Sequence, residues 1–230
     1  MNDIIQKHLD YKKYVVDSKL RYFKPHASKI EKTFAEEISS SLIGNSKFIS
    51  PKFFYDKKGS DLFEKICTLS EYYPTRTEID ILKNLSTELP SYLDETFRLV
   101  ELGSGASVKT RLILDIFASL QDTTEYFPID ISEILTESSE QLLKDYDGLH
   151  ITGIIDTYEG GLEFLKNYDD KKNLIIFLGS SFGNFSPNAG REFLKKINST
   201  MKSGDLFLIG LDSVSYTHLR AHETKTRISV

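Results

Sequence analysis

Three small residues, Gly103-Ser104-Gly105, stand between the apolar run Leu99, Val100, Leu102 and an amphipathic stretch carrying Leu112, Ile113, Ile116 and Phe117. Strand, glycine turn, helix is how an α/β protein offers backbone N–H groups and a positive helix end to a ligand. Glu101 precedes the turn and Lys109 lies early in the helix. Two aspartates recur in equivalent places: Asp130 near the end of the apolar stretch 126–131 and Asp156 just after the stretch 150–155. In an open α/β sheet ligands bind beyond the carboxyl ends of the strands, where the strand order reverses. There Asp130 is placed to accept hydrogen bonds from a ribose diol and Asp156 from an adenine amine. Thr157 adds backbone contacts to the same ring. Each feature alone reads equally as an ordinary strand–helix turn or a solvated cap; their occurrence together, in strand order, reads as a nucleoside site.

The choice of nucleoside follows from what is missing. A dinucleotide fingerprint places a third glycine three residues after the second; here that position is Val108. Glu101 is expected to repel a pyrophosphate, and no Gly-x-x-x-x-Gly-Lys-Ser/Thr occurs. A phosphate-free ligand with a positive centre fits better, and S-adenosylmethionine is one. Lys109 can pair with its methionine carboxylate, or simply face solvent. No metal is expected: His218 and His222 have ligand spacing without a third partner. Cys67, the only cysteine, reads as core, on a face with Phe63 and Ile66.

The elements that hold these residues follow from the pattern around them. The chain has 230 residues, 40% hydrophobic content and a net charge of −5, which suits one large domain and argues against a general nucleic-acid surface. No run reaches the roughly 18 apolar residues of a membrane span, and the polar N-terminus does not read as a secretory signal, so a cytoplasmic location is expected. Residues 1–25 give no clear element. Helices are expected over 27–42, over 61–69 with Ser60 as cap, and on through Leu89 from a cap at Thr75 or Thr77, so the first 90 residues read as all-helical. Residues 71–76 read as a non-helical turn. From 97 onward strands (97–102, 126–131, 150–155, 174–178, 206–211) alternate with helices (107–120, 133–146, 159–168, 188–202), the signature of a mostly parallel sheet. The tail 215–230 breaks this pattern and leaves the fifth strand with an unpaired edge.

Five stretches resemble the histidine-specific, S-adenosylmethionine-dependent methyltransferases that form hercynine in ergothioneine biosynthesis. They begin at Phe54-Tyr55-Asp56, Glu71-Tyr72-Tyr73-Pro74, Glu101-Leu102-Gly103, Pro128-Ile129-Asp130 and Phe177-Leu178-Gly179, the last running through Gly183-Asn184-Phe185. The likeness extends over about 48–214. It implies a Rossmann-like class I methyltransferase sheet, incomplete at its C-terminus, over 93–214, with a helical segment over 1–92 belonging to a substrate-binding domain. It implies that Gly103, Ser104, Gly105, Lys109, Asp130, Asp156 and Thr157 hold S-adenosylmethionine, that Tyr55 and Tyr72 line an amino-acid pocket, and that Asn184 holds the substrate's amino and carboxylate end. Tyr55 and Asn184 would orient the accepting nitrogen. Read as residues alone, Tyr55 and Tyr72 equally suit packing between helices, and Asn184 suits a turn that needs positive φ. The family's imidazole-recognising residues follow the fifth strand; here unrelated sequence follows Val214. The expected activity is methyl transfer to the α-amino nitrogen of histidine, with another amine as acceptor, or a fragment that only binds cofactor, as alternatives. The oligomeric state is not legible.

Overall fold

A computed structural model describes residues 10–26, 34–43, 47, 49, 53, 57–105, 108–132 and 134–212, with the backbone alone at Phe34 and Lys57. Tyr55, Ala106, Ser107 and the tail with His218 and His222 lie outside the described residues.

The chain opens with an antiparallel hairpin of β1 (Tyr11–Val15) and β2 (Leu20–Pro25). Asp17 makes its turn: the carboxylate accepts the N–H groups of Lys19 and Leu20 at 2.7 and 2.8 Å, the local bonding that suits Asp to turns. Among the described residues the helices α1 (Phe34–Ile43), α2 (Lys57–Cys67) and α3 (Tyr73–Leu85) follow, then a 3-10 turn at Leu89–Tyr92. From there strands and helices alternate: β3 (Phe97–Leu102), α4 (Val108–Leu120), β4 (Thr124–Asp130), α5 (Ile134–Asp145), β5 (Leu149–Ile155), α6 (Tyr158–Lys166), β6 (Lys172–Phe177), α7 (Pro187–Thr200) and β7 (Leu206–Ile209).

The seven strands form one sheet in the order β1-β2-β5-β4-β3-β6-β7, parallel except for the hairpin. The chain winds outward from β3 through β4 to β5, then crosses back to β6, so the order reverses between β3 and β6. Alternation along β3 feeds two cores. Phe97 and Leu99 pack on one face with Leu82 of α3, Ile113, Ile116 and Phe117 of α4 and Leu135 and Leu142 of α5. Val100 and Leu102 pack on the other with Leu162 and Phe164 of α6 and Phe193 and Ile197 of α7. Burial on both faces is why these strands read as near-continuous apolar runs.

The structure differs from several of these expectations. The first 90 residues are not all-helical: β2 inserts beside β5, with Leu20 opposite Ile151 and Phe23 opposite Ile154, and buries Leu20, Tyr22 and Phe23. Residues 73–76 are not a non-helical turn. Pro74 lies in the first turn of α3, where its missing N–H has no partner to lose, and neither Thr75 nor Thr77 caps it. Likewise Ser60 lies inside α2 rather than before it. Finally, the Phe63–Ile66–Cys67 face is not core: Phe63 and Ile66 are 38% and 41% exposed and Cys67 is half-buried.

Candidate functional site

Register brings the candidate residues to one edge of the sheet. Leu102 pairs with Ile129, and Asp130 with Ile155. The Gly103 N–H donates to the Ile129 carbonyl at 2.9 Å and the Asp156 N–H to the Asp130 carbonyl at 3.1 Å. The glycine turn, Asp130 and Asp156 therefore stand side by side at the carboxyl ends of β3, β4 and β5. Gly103 and Gly105 have φ of 76° and 45°, in the left-handed region where a side chain is strained. Tyr158 leans over the turn: a Cβ on Gly103 would come within 2.8 Å of its hydroxyl.

Ser104 is the informative member of the turn. It is 6% exposed, and its Oγ is a buried polar atom without a hydrogen-bond partner among the described residues. A buried hydroxyl left unpaired is costly, and one in a glycine turn at the sheet's switch point fits a polar ligand lying against it. Asp130 Oδ1 accepts the Ser132 N–H at 2.9 Å, and backbone N–H groups of Gly105 and Ser104 also reach its carboxylate. Burial raises its pKa above the ordinary carboxylate value, while these N–H bonds hold the charged form and oppose the rise.

Asp156 is less open than the sequence implied. Its Oδ2 accepts the Tyr11 hydroxyl at 2.5 Å, and its Oδ1 accepts the Thr157 N–H at 2.7 Å. The N-terminal hairpin thus reaches the site through Tyr11, a residue that no local pattern singles out. Burial first, then the bond to Asp156, keeps the Tyr11 phenol protonated far above its ordinary range. Thr157 caps α6 through its hydroxyl, which accepts the Gly160 N–H.

Glu101 does not face the ligand. It is 3% exposed, with its carboxylate turned into the core, where Tyr126 and Thr110 donate their hydroxyls to it. Alternation along β3 sends it to the α4 face, so its expected repulsion of a pyrophosphate is withdrawn.

At the reversal itself, Lys109 meets a residue not anticipated as part of the site. Lys109 Nζ donates to Glu78 Oε2 at 2.5 Å. The two oxygens of Glu78 share the Gly179 N–H at 2.8 and 3.0 Å. Lys109 follows the turn after β3, Gly179 follows β6, and Glu78 comes from α3, so three elements meet there. The side chains of Lys109 and Glu78 are 22% and 14% exposed, so Lys109 does not simply face solvent. Nothing in local sequence pairs residue 78 with residue 109; only the packing of α3 on α4 does.

The acceptor-side candidates lie in other surroundings. Tyr72 precedes α3, half-buried, its ring edge-on to Phe63 at 5.9 Å between centroids. Arg76 fixes this loop by donating to the carbonyls of Leu69 at 2.6 Å and Ser70 at 2.5 Å. Asn184 is exposed and ends the 3-10 turn Ser181–Asn184, whose Phe182 packs on the core. It does not supply positive φ; Ser180 does, at 55°, after Gly179 at 80°.

The family described as "Histidine-specific methyltransferase, SAM-dependent" matches residues 34–222. A histidine N-alpha-methyltransferase of Mycolicibacterium smegmatis is 36% identical over 182 residues, 79% of this chain and 56% of that protein. An ergothioneine biosynthesis protein 1 of Neurospora crassa is 34% identical over 161 residues, 69% of this chain and 18% of that protein. A crystal structure of a DUF574 family protein from Streptomyces avermitilis aligns with a TM-score of 0.50 and 13% identity, covering 84% of this chain and 78% of that one; at that identity the likeness shows the fold alone. The chain spans about half the length of the first of these relatives. With the family's profile running through the glycine turn, Asp130, Asp156 and the Gly179–Asn184 loop, the chain belongs to the histidine-specific, S-adenosylmethionine-dependent methyltransferases.

Proposed function

We propose that this chain binds S-adenosylmethionine across the glycine turn and serves methyl transfer to the α-amino nitrogen of histidine. The observation that carries the reading is the buried Ser104 hydroxyl at the switch point, which has no hydrogen-bond partner among the described residues. It lies beside an Asp130 carboxylate already oriented by backbone N–H groups. Asp130 takes the ribose hydroxyls, Asp156 and Thr157 the adenine edge, and Lys109 the carboxylate of the amino-acid end. When bound, the sulfonium supplies a methyl group that needs no further activation.

What remains for the protein is alignment. Tyr55, Tyr72 and Asn184 hold the acceptor so that its nitrogen lies in line behind the methyl, a proximity effect worth several kcal/mol. The nitrogen must be neutral; a peptide α-amine has a pKa of about 8, that of a free amino acid beside its own carboxylate is somewhat higher, and loss of its proton costs about 1.4 kcal/mol for each unit by which that value exceeds the pH. Tyrosine rings also tolerate a nitrogen that becomes cationic as methyl groups accumulate.

The test is mass spectrometry of histidine incubated with S-adenosylmethionine and the protein. Gains of one, two and three methyl groups are expected; unchanged histidine overturns the transfer reading for this chain. Because the chain spans about half of its relative's length, a second reading is a donor-binding portion without transfer. Calorimetry separates the two: uptake of S-adenosylhomocysteine with no methylated histidine selects the second, and no uptake removes both.

A further inference from the structure

Lys109 alone is a receptor for a carboxylate, yet in the folded chain it already holds one. The Glu78 carboxylate sits on its ammonium at 2.5 Å. Glu78 cannot easily withdraw. It projects from α3, whose Leu82 is 2% exposed in the core, and it satisfies the Gly179 N–H. A Cβ on Gly210, which follows β7, would collide with its Oε1, so the glycine there leaves the carboxylate its space. Moving it would orphan that N–H and the lysine together.

We propose that Glu78 is a donor-binding residue, and that Glu78 and Lys109 together form a two-signed clamp for the zwitterionic amino-acid end of the donor. Lys109 has three N–H donors and Glu78 about four lone-pair directions, so each keeps capacity beyond their mutual bond. The lysine takes the ligand's α-carboxylate and the glutamate takes its α-ammonium. The inference rests on the reading that this crevice binds S-adenosylmethionine. It adds the reason a phosphate-bearing nucleoside is refused. The pair is neutral as a unit, so an anionic group gains nothing net, whereas a zwitterion matches both charges. That task passes to Glu78, since Glu101 is turned away from the site.

The test compares two probes on the folded chain by calorimetry: S-adenosylhomocysteine, which carries the zwitterion, and 5′-methylthioadenosine, which lacks it. Glu78→Gln keeps the shape and an acceptor for Gly179 while removing the charge. Roughly tenfold weaker binding of S-adenosylhomocysteine is expected, the scale of one lost charge-assisted hydrogen bond, with 5′-methylthioadenosine unchanged. Equal weakening of both probes makes Glu78 only a tether and overturns the proposal. Tighter or unchanged binding of S-adenosylhomocysteine makes it a competitor or a bystander and does the same. If the unmodified chain binds neither probe, the donor reading itself fails. Should Glu78→Gln not fold, Glu78→Asp, which withdraws the charge by one methylene, must show the same selective loss.

Discussion

Asp130 and Glu101 are carboxyl groups on either side of one glycine turn, and their surroundings give them opposite tasks. Asp130 is ringed by backbone N–H groups, which favour the charged form that a ribose diol needs as acceptor. Asp130→Asn keeps one acceptor and loses the charge. Its affinity for S-adenosylhomocysteine should fall roughly tenfold, with a urea midpoint close to the parent, since a charged acceptor bond is worth about 1.5–3 kcal/mol. An unchanged affinity by calorimetry removes Asp130 from the site. Glu101 is enclosed, and burial above all pushes its pKa from 4.5 up to about 7, against the pull of the Tyr126 and Thr110 hydroxyls. Between these two values the folded chain keeps a proton that the unfolded chain gives up. Stability should therefore fall as pH rises from about 4.5 to about 7, by at most about 1.4 kcal/mol per pH unit from this group. Urea midpoints measured from pH 5 to 8 check this: Glu101→Gln should flatten the decline, and an equal slope in both proteins contradicts it.

Helices α2 and α3 carry comparable apolar residues but opposite fates. In α3 Leu82 is 2% exposed, whereas in α2 Leu62, Phe63 and Ile66 are 49%, 38% and 41% exposed. Leu82→Ala should thus cost roughly 2–5 kcal/mol, while Ile66→Ser should change stability by no more than about 0.5 kcal/mol. Chemical denaturation distinguishes them, and a large loss at Ile66 would mean that α2 is covered in solution. The same contrast shows what could be read from the sequence. Residues 97–209 were legible because their strands are buried on both faces and their helices on one, so the apolar pattern carries the structure. The turn with Asp130 and Asp156 was legible for the same reason, since each residue falls at the end of such a strand. The hairpin was not. β1 is an edge strand with Lys12 and Lys13 exposed, which hides its pattern, and β2 finds its neighbour at Ile151. The one local sign was Asp17 between two β-prone stretches. Glu78 and Tyr11 carry no local signal because their partners, Lys109 and Asp156, are reached only through tertiary packing.

At the scale of the whole chain, the first and last described strands close opposite edges of one sheet, and their situations differ. Among the described residues β7 pairs with β6 alone, and it is half-buried throughout. At the other end the hairpin covers β5 and reaches inward through Tyr11 to Asp156. A further tie lies at the opposite ends of the strands. Arg98, 1% exposed, is held there by Glu125 at 3.2 Å and Asp169 at 2.5 Å, its guanidinium 4.3 Å from the centroid of Phe127. Arg98→Ala would take the cation from Asp169, leave Glu125 with Lys171 at 2.5 Å, and empty the space of a 1% exposed side chain, so it should destabilise the fold without touching the ligand edge. The hairpin differs because it serves stability and site together. Its Leu20, Tyr22 and Phe23 are each less than 9% exposed, and burial of side chains of this size contributes about 1.5–3 kcal/mol apiece. Their loss approaches the whole stability of an ordinary domain, about 5–15 kcal/mol. A chain lacking residues 1–26 should therefore unfold at much lower urea, bind a hydrophobic dye, and take up S-adenosylhomocysteine weakly if at all. Tyr11→Phe separates the two contributions: it keeps the ring packed on Phe164 at 4.9 Å and removes only the hydroxyl, which donates to Asp156 and to the Gly160 carbonyl. That variant should hold its urea midpoint within about 1 kcal/mol while its affinity for 5′-methylthioadenosine, which reports on the adenosine end, shifts. If truncation leaves the midpoint in place, the hairpin is an ornament on the sheet rather than its edge.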